Sequence, residues 1–450
     1  MTKNGNIKME GKKGVTFSAV ELAPAPVKPE GQKDVLQLRC EPIEKVRIGF
    51  IGIGIRGLKA IKRYVYINGI EIKAFCDLAS ENIEKAQNVI TENGFPKADE
   101  YTEASDWKKV CERDDIDLIY IATSWTLHTE FAVYAMEQGR HVGVEIPAAV
   151  TIDEAWKLVD TAERTQRHCM GLENCIYEAF QMAAYNMAES GLFGEVMHVE
   201  GGYIHDLRSR NFIEGKKEDS GWELKHLEER DGNIYPTHGF GPLCHVLNIH
   251  RGDKLEYITS LSSNQAGMAE YTKEKFGENS DLAKRKYKLG DMNTSLLRTA
   301  NGKSMMLQQN ITNPRPYSRL FMINGTKGFI RQYPIEGIAL DPDAHEFLPK
   351  DETEKLLKEY EHPIIKEIGK KAETVGGHGG IDFIMDYRLI YCLRNGLPLD
   401  QDVYDAAEWA SIAELSEVSV ANDSMPIKVP DFTRGAWKKL KKVTYFYRPE

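Results

Sequence analysis

The chain has 450 residues, 42% of them hydrophobic and 28% charged, with 58 Lys and Arg against 68 Asp and Glu and a formal net charge of −10. Such a length exceeds one ordinary core and predicts two domains. The acidic balance leaves no basic excess to neutralise phosphates, which argues against nucleic acid as a partner. The longest apolar runs, such as Ile116 to Thr123, are too short to span a bilayer, so no membrane role is expected.

Seven cysteines (Cys40, Cys76, Cys111, Cys169, Cys175, Cys244, Cys392) show neither CxxC spacing nor clustering. They read as free thiols, and no metal site is expected. Residues 1–44 form a polar N-terminal arm with the Pro-spaced stretch ELAPAPVKPEGQ, no apolar h-region and no twin arginine. The expectation is a cytoplasmic protein, or a periplasmic one whose leader has been removed.

From Lys45 the pattern changes. Val46 to Ile51 is an apolar, β-branched run of strand length, followed by Gly52-Ile53-Gly54-Ile55-Arg56-Gly57 and by helical spacing of Leu58, Ile61 and Val65. This is G-x-G-x-x-G between a strand and a helix. Gly52 suits the tight turn, Gly54 the approach of a pyrophosphate, and Gly57 close helix-strand packing, with Ile55 and Arg56 at the helix N-terminus. A second run, IEIKAFCD, ends in Asp77, placed either to accept from adenine ribose hydroxyls or to cap a helix. The ribose reading disfavours a phosphorylated ribose, so NAD is expected rather than NADP.

A helix near Glu81 to Asn93, a strand in DIDLIYIATSW, a helix from Thr129 to Gln138 and a strand in HVGVEIP continue the alternation. Such βαβ units predict a doubly wound parallel sheet, the Rossmann arrangement, over residues 45–170, with ligands beyond the strand C-termini. Trp125, Thr126, Leu127, His128, Glu145, Ile146 and Asn174 fall there and are assigned to the cofactor; capping and packing are the alternative for Trp125 and His128.

Residues 171–450 predict an α+β domain. After a helix capped by Thr151 or Asp153 and another reaching Ser190, strands are expected at Val196 to Tyr203, Leu255 to Ser262, Thr294 to Thr299, Lys303 to Asn310 and Ser318 to Ile323. They imply a large, mostly antiparallel open sheet, one face towards the cofactor domain and the other available for homo-oligomerisation. Polar stretches at Asp206 to Gly232 and Lys273 to Asp291 read as loops. Helices are expected at Lys350 to Tyr360, Gly380 to Asn395 and Tyr404 to Asp423, and the terminal LKKVTYFYRPE as a surface tail or a segment returning to the first domain.

The glycine motif, the acidic strand end and the E-x-P strand end resemble the Gfo/Idh/MocA oxidoreductases. That family usually carries Glu-Lys-Pro, its lysine serving in proton transfer, where this chain has Glu145-Ile146-Pro147. VEIPAA, GLFGEVMHVEGGYIHDLR, GNIYPTHGFGP, NPRPYSR and GGHGGIDFIMDYRL together are similar to the family 109 glycoside hydrolases, known for α-N-acetylgalactosaminidase activity with a tightly held NAD.

The resemblance implies transient oxidation at the sugar C3, elimination of the aglycone, addition of water at C1 and re-reduction. This route needs a base, donors for an enolate and an acid near the departing oxygen. His238 and Tyr235 in YPTHG are the catalytic candidates, Pro236 restricting Tyr235 to extended backbone and Gly239 permitting a turn. Tyr203, Arg208, Tyr235, Pro236, Thr237, His238 and Tyr317 are implied as carbohydrate contacts. His378, among four glycines, either approaches the substrate or forms a flexible turn. Glu223 stands where the family pattern has arginine, so Arg208 or Arg210 substitutes or the sugar differs. The alternatives are a net sugar dehydrogenase or isomerase, and an NAD-bound sensor without turnover.

Overall fold

The computed structural model describes residues 19–22, 24–210 and 220–442. The C-terminal residues 443–450, and with them most of the segment expected to form a tail, lie outside the described residues. The chain divides into two units, one comprising Pro26–Met182 with Glu361–Ala410, the other Ala183–Tyr360 with Ser411–Lys441. This differs from a single cut at residue 170. Residues 361–410 belong with the glycine-loop unit because the helix Ile381–Asn395 packs on its first helix and first strand.

In chain order the first unit runs β1 (Val46–Ile51), α1 (Ile55–Tyr64), β2 (Ile70–Cys76), α2 (Ser80–Glu92), β3 (Asp99–Tyr101), α3 (Asp106–Cys111), β4 (Leu118–Ile121), α4 (Trp125–Glu137), β5 (His141–Val144), α5 (Ile152–Thr165) and β6 (Cys169–Gly171). The sheet order is β3-β2-β1-β4-β5-β6 and every pairing is parallel. The short strands β3 and β6 were not legible in the sequence, three residues being too few to show a period. Burial on both faces explains the near-continuous apolar runs of β1 and β4. Phe50 centres an aromatic core with Tyr64 at 5.3 Å and Tyr120 at 5.2 Å. Thr151 caps α5, its hydroxyl accepting from the Glu154 N–H at 3.2 Å. The N-terminal stretch is pinned to the same unit by Lys28 on Glu163 at 3.0 Å and by the Val35 N–H donating to the Tyr404 hydroxyl at 3.1 Å.

The chain continues with α6 (Ala179–Glu189), β7 (Val196–Ile204), α7 (Ser220–Glu229), α8 (Thr237–Val246), β8 (Leu255–Ser262), α9 (Gly267–Phe276), α10 (Asp281–Lys284), β9 (Asn293–Thr299), β10 (Ser304–Asn310), β11 (Met322–Gly325), β12 (Gly328–Arg331), β13 (Gly337–Leu340), α11 (Lys350–Glu359), α12 (Pro363–Val375), α13 (Ile381–Asn395), α14 (Val403–Ala421) and β14 (Ile427–Lys428). The second sheet is ordered β13-β12-β11-β7-β10-β9-β8-β14, antiparallel except for β7 with β10. Its register lines Ile258, Leu297, Met305, Val199, Ile323, Ile330 and Ile338 across one face, all buried, while Leu261 and Leu296 stand exposed on the other.

Three expectations need correction here. The polar stretches at 206–232 and 273–291 are not simply loops: they contain α7, the end of α9 and α10. The strand expected at Ser318 to Ile323 starts only at Met322, because Leu320 and Phe321 have positive φ and break the extended run. Gly239 makes no turn. It lies inside α8, where a Cβ would stand 2.3 Å from the backbone nitrogen of Gly202 on β7, so helix and strand meet backbone to backbone.

Candidate functional site

In the first unit the glycine loop forms a cradle at the C-terminal end of β1. Gly52 has φ +85°, and a Cβ there would sit 2.6 Å from the Ala122 carbonyl oxygen; one on Gly57 would sit 2.0 Å from the Gly52 carbonyl oxygen. Only glycine fits either place. Helix α1 begins at Gly54 with no side chain bonded to its N-terminus and no acidic residue in its first turn, leaving that end suited to phosphate oxygens. Asp77 is not the N-cap of α2, which is Ala79. Its Oδ2 accepts from the Ile53 N–H at 2.6 Å and its Oδ1 from the Ala79 N–H at 2.8 Å, which fixes a half-buried carboxylate beside the loop. These features fit a dinucleotide.

Trp125 to His128 do not trail a strand; they form the first turn of α4, which starts four residues before the expected Thr129. Thr126 and Leu127 are exposed there and Trp125 is half-buried. His128 is buried, its Nδ1 2.8 Å from the Pro147 carbonyl and its Nε2 3.0 Å from the Thr123 carbonyl. Burial lowers its pKa. Both ring nitrogens face backbone carbonyls at the β4 and β5 ends, and the neutral ring donates to one of them.

Glu145 is buried, accepting from Arg56 Nη2 at 3.2 Å and from the Tyr120 hydroxyl at 3.2 Å. Ile146 is 5% exposed, an apolar wall where a lysine would carry a proton. Asn174 is buried and donates through Nδ2 to Asp382 Oδ1. Asp382 also accepts from His378 Nδ1 at 2.9 Å and lies 3.5 Å from Arg63 and 4.0 Å from Arg56. Burial pushes its carboxyl up, but the His378 hydrogen bond and the two guanidinium groups outweigh it and hold the carboxyl well below the usual range. His378 stands in a run, residues 376–380, in which every φ is positive; its side chain is 58% exposed. It belongs to the first unit, with the cofactor residues. One turn along α13, Asp386 accepts from Arg63 at 2.7 Å. The sequence reading missed Arg63, Asp382 and Asp386, since nothing local distinguishes a buried charge from a solvated one.

In the second unit, strand alternation places Val199, Gly201 and Tyr203 on the buried face of β7, with Tyr203 opposite Gln309. Gln309 Oε1 accepts from the Tyr235 N–H at 3.0 Å, and Pro236 caps α8, so Tyr235 and His238 are fixed on either side of the helix start. The three rings are mutually packed: Tyr203 to Tyr235 at 5.1 Å, Tyr203 to His238 at 5.3 Å and Tyr235 to His238 at 5.2 Å. The Tyr203 hydroxyl lies 3.2 Å from His205 Nδ1, and His205 meets Tyr317 edge-on at 5.2 Å. Tyr317 is 43% exposed and accepts from buried Arg319 Nη1 at 3.0 Å, with Tyr333 6.1 Å away. Thr237 is buried and its hydroxyl has no hydrogen-bond partner among the described residues. Arg208 does not present a free fork, because it closes bidentately on Asp206 at 2.9 and 2.8 Å. Glu223 lies in α7. Gln309, Arg319 and Tyr333 were missed from sequence; the alternation of β10 was the available signal for Gln309.

Residues 46–171 match the oxidoreductase family NAD-binding Rossmann fold, and residues 177–439 match the C-terminal domain of glycosyl hydrolase 109. The chain is 53% identical over 415 residues to a Bacteroides fragilis protein named alpha-N-acetylgalactosaminidase, covering 92% of this chain and 98% of that one. It is 46% identical over 446 residues to glycosyl hydrolase family 109 protein 1 of Bacteroides thetaiotaomicron, covering 94% and 92%. Among solved structures, levoglucosan dehydrogenase in complex with NADH and L-sorbose shares the fold with a TM-score of 0.64 and 19% identity over 86% of this chain and all of that one. The WlbA dehydrogenase of Bordetella pertussis, in complex with NADH and UDP-GlcNAcA, does so with a TM-score of 0.61 and 16% identity over 87% and 99%. The chain belongs to the glycosyl hydrolase 109 family and is a glycoside hydrolase that uses a nicotinamide cofactor.

Proposed function

We propose that the protein releases a terminal α-N-acetylgalactosamine residue and keeps NAD as a resident cofactor that is not consumed. The observation that carries this reading is the packed trio of Tyr203, Tyr235 and His238 in one unit, set against an apolar Ile146 in the other. Proton chemistry has left the strand end where a dehydrogenase lysine would act and is supplied by residues of the sheet domain.

Gly52, Gly54 and Gly57 with the start of α1 would hold the pyrophosphate, and Asp77 the adenine ribose. Trp125, Thr126, Leu127, Glu145 and Ile146 would shape the rest of the cradle. The half-buried carboxylate of Asp77 would repel a 2′-phosphate, which favours NAD. The chemistry a bound NAD supplies is reversible removal of hydride from the sugar C3.

The residues then divide the proton transfers. His238 takes the C3 hydroxyl proton or the C2 proton made acidic by the new ketone, with the Tyr235 and Tyr203 hydroxyls stabilising the enolate as donors. Tyr317, braced by Arg319, offers an aromatic face to the sugar. Elimination, water addition at C1 and return of the hydride leave no net oxidation.

The test is hydrolysis of an aryl α-N-acetylgalactosaminide in deuterated water, beside a panel of other aryl N-acetylhexosaminides and plain hexosides. The expected result is nitrophenol release without net NADH absorbance and with deuterium at C2. Retention of all C2 hydrogen overturns the elimination route, and NADH accumulating with free sugar indicates a dehydrogenase. His238→Ala should slow turnover by at least about a hundredfold, the scale of a lost general acid or base.

A further inference from the structure

The first unit holds a buried charge cluster around the cofactor cradle. Glu145, Asp382 and Asp386 are buried carboxylates, at 6%, 1% and 0% exposure, facing two guanidinium groups, those of Arg56 and Arg63. One member joins more of the cradle than any neighbour. Through its two oxygens Asp382 reaches Asn174 beyond β6, His378 in the glycine run, and Arg63 and Arg56 on α1. Arg56 then connects to Glu145 at the end of β5.

We infer that Asp382 is a positioning residue for dinucleotide binding: its carboxylate sets the side chains of Arg56 and Asn174, and with them the phosphate loop and the cofactor pocket, as well as the ring of His378.

The geometry carries this in three steps. Asp382 has only two oxygens, and both are committed to site-directed donors, so moving or neutralising it releases several groups at once. Arg56 lies in the first turn of α1, next to Gly57, which with Gly52 leaves no room for adjustment, so a change in its ion pairs is passed to the loop itself. Among the described residues Asn174 has no other charged partner to hold its amide nitrogen: the other bond of its side chain is the one its oxygen accepts from the Cys175 thiol.

The inference rests on the cofactor reading above, and its test separates the two. Dinucleotide binding is measured by calorimetry on the full chain freed of cofactor, for the wild type, Asp382→Asn and Asp400→Asn. Asp400 forms an equally buried bidentate pair with Arg388 in the same unit, at 2.8 Å on both arms, and accepts from the Tyr177 hydroxyl at 3.2 Å rather than from Arg56, Arg63, Asn174 or His378. It serves as the control for a merely structural loss. Both variants should melt at lower temperature. Only Asp382→Asn should bind NAD more weakly, by at least about tenfold, the scale of one charge-assisted hydrogen bond. Asp400→Asn should keep the wild-type affinity. If the amide variant does not fold, Asp382→Glu keeps the charge but moves it by one methylene and should show the same weakened binding. Wild-type affinity in either folded Asp382 variant, or an equal loss of affinity in Asp400→Asn, overturns the inference. Failure of the wild type to bind NAD would instead overturn the cofactor reading.

Discussion

Gly239→Ala places one methyl group where the structure has no space for it. The added Cβ would lie 2.3 Å from the nitrogen, 2.5 Å from the oxygen and 2.7 Å from the carbonyl carbon of Gly202, all backbone atoms of a central strand. Reaching ordinary contact requires α8 to move off β7 by about 1 Å, since neither partner is a side chain that can rotate away. Overpacking of this kind costs about 1–3 kcal/mol or more, and a unit of this size should lose roughly 2–4 °C in Tm per kcal/mol. The start of the same helix carries Thr237 and His238, and a shift of about 1 Å at reacting groups costs on the order of a hundredfold in rate. Calorimetric melting and aryl glycoside turnover of the cofactor-loaded protein should therefore fall together. Gly369→Ala is the counterpart, in α12, where the new Cβ meets only the Ile365 side chain at 3.3 Å; it should leave activity intact and raise stability by up to about 1 kcal/mol. Unchanged Tm and turnover in Gly239→Ala would refute the close-approach argument for this helix and strand.

Thr151→Ala removes the hydroxyl that accepts from Glu154 at the start of α5 and should cost about 1 kcal/mol in urea denaturation. Asp386 gives a pH effect of known sign. Burial, against the pull of Arg63, raises it from the ordinary 3.8 to about 7; Asp382, Glu145, Tyr64 and Tyr120 also face it. The folded state thus holds a proton that the unfolded chain has released, and the stability this group contributes, full below about pH 4, is lost as pH rises through about 7. Asp386→Asn should remove this slope, so the wild type should lose stability relative to the variant between pH 5 and pH 8; a constant difference in urea midpoint would contradict it. Arg319→Met frees the Tyr317 hydroxyl from its donor and should raise KM several-fold with little change in kcat, the pattern of lost uniform binding.

Much of the architecture was readable before any coordinates. The loop from Gly52 to Gly57 announced itself because a strand, a tight turn and a helix leave three different local signatures within a dozen residues, and Leu255 to Ser262 was bounded correctly because turn-favouring residues, Gly252-Asp253 and Ser263-Asn264, flank it. Ile146 was equally plain, since the absence of a lysine needs no packing to interpret. Misreadings occurred where local pattern and tertiary use diverge. Gly239 looks like a turn residue after Pro236, but it serves a helix that must touch a strand.

What the sequence by itself determined is the cofactor fold, the open sheet and the types of residue available for chemistry, because periodicity and glycine placement act over short stretches of chain. Only the tertiary structure decided which groups share a charge. Asn174 meets Asp382 across 208 positions and Arg63 meets Asp386 across 323, while Arg208, expected to be available, is already closed on Asp206. The physical reason is that the partners of a buried charge are set by which segments pack together, and burial and pairing then fix whether a carboxylate orients a neighbour, carries a proton or neutralises an arginine.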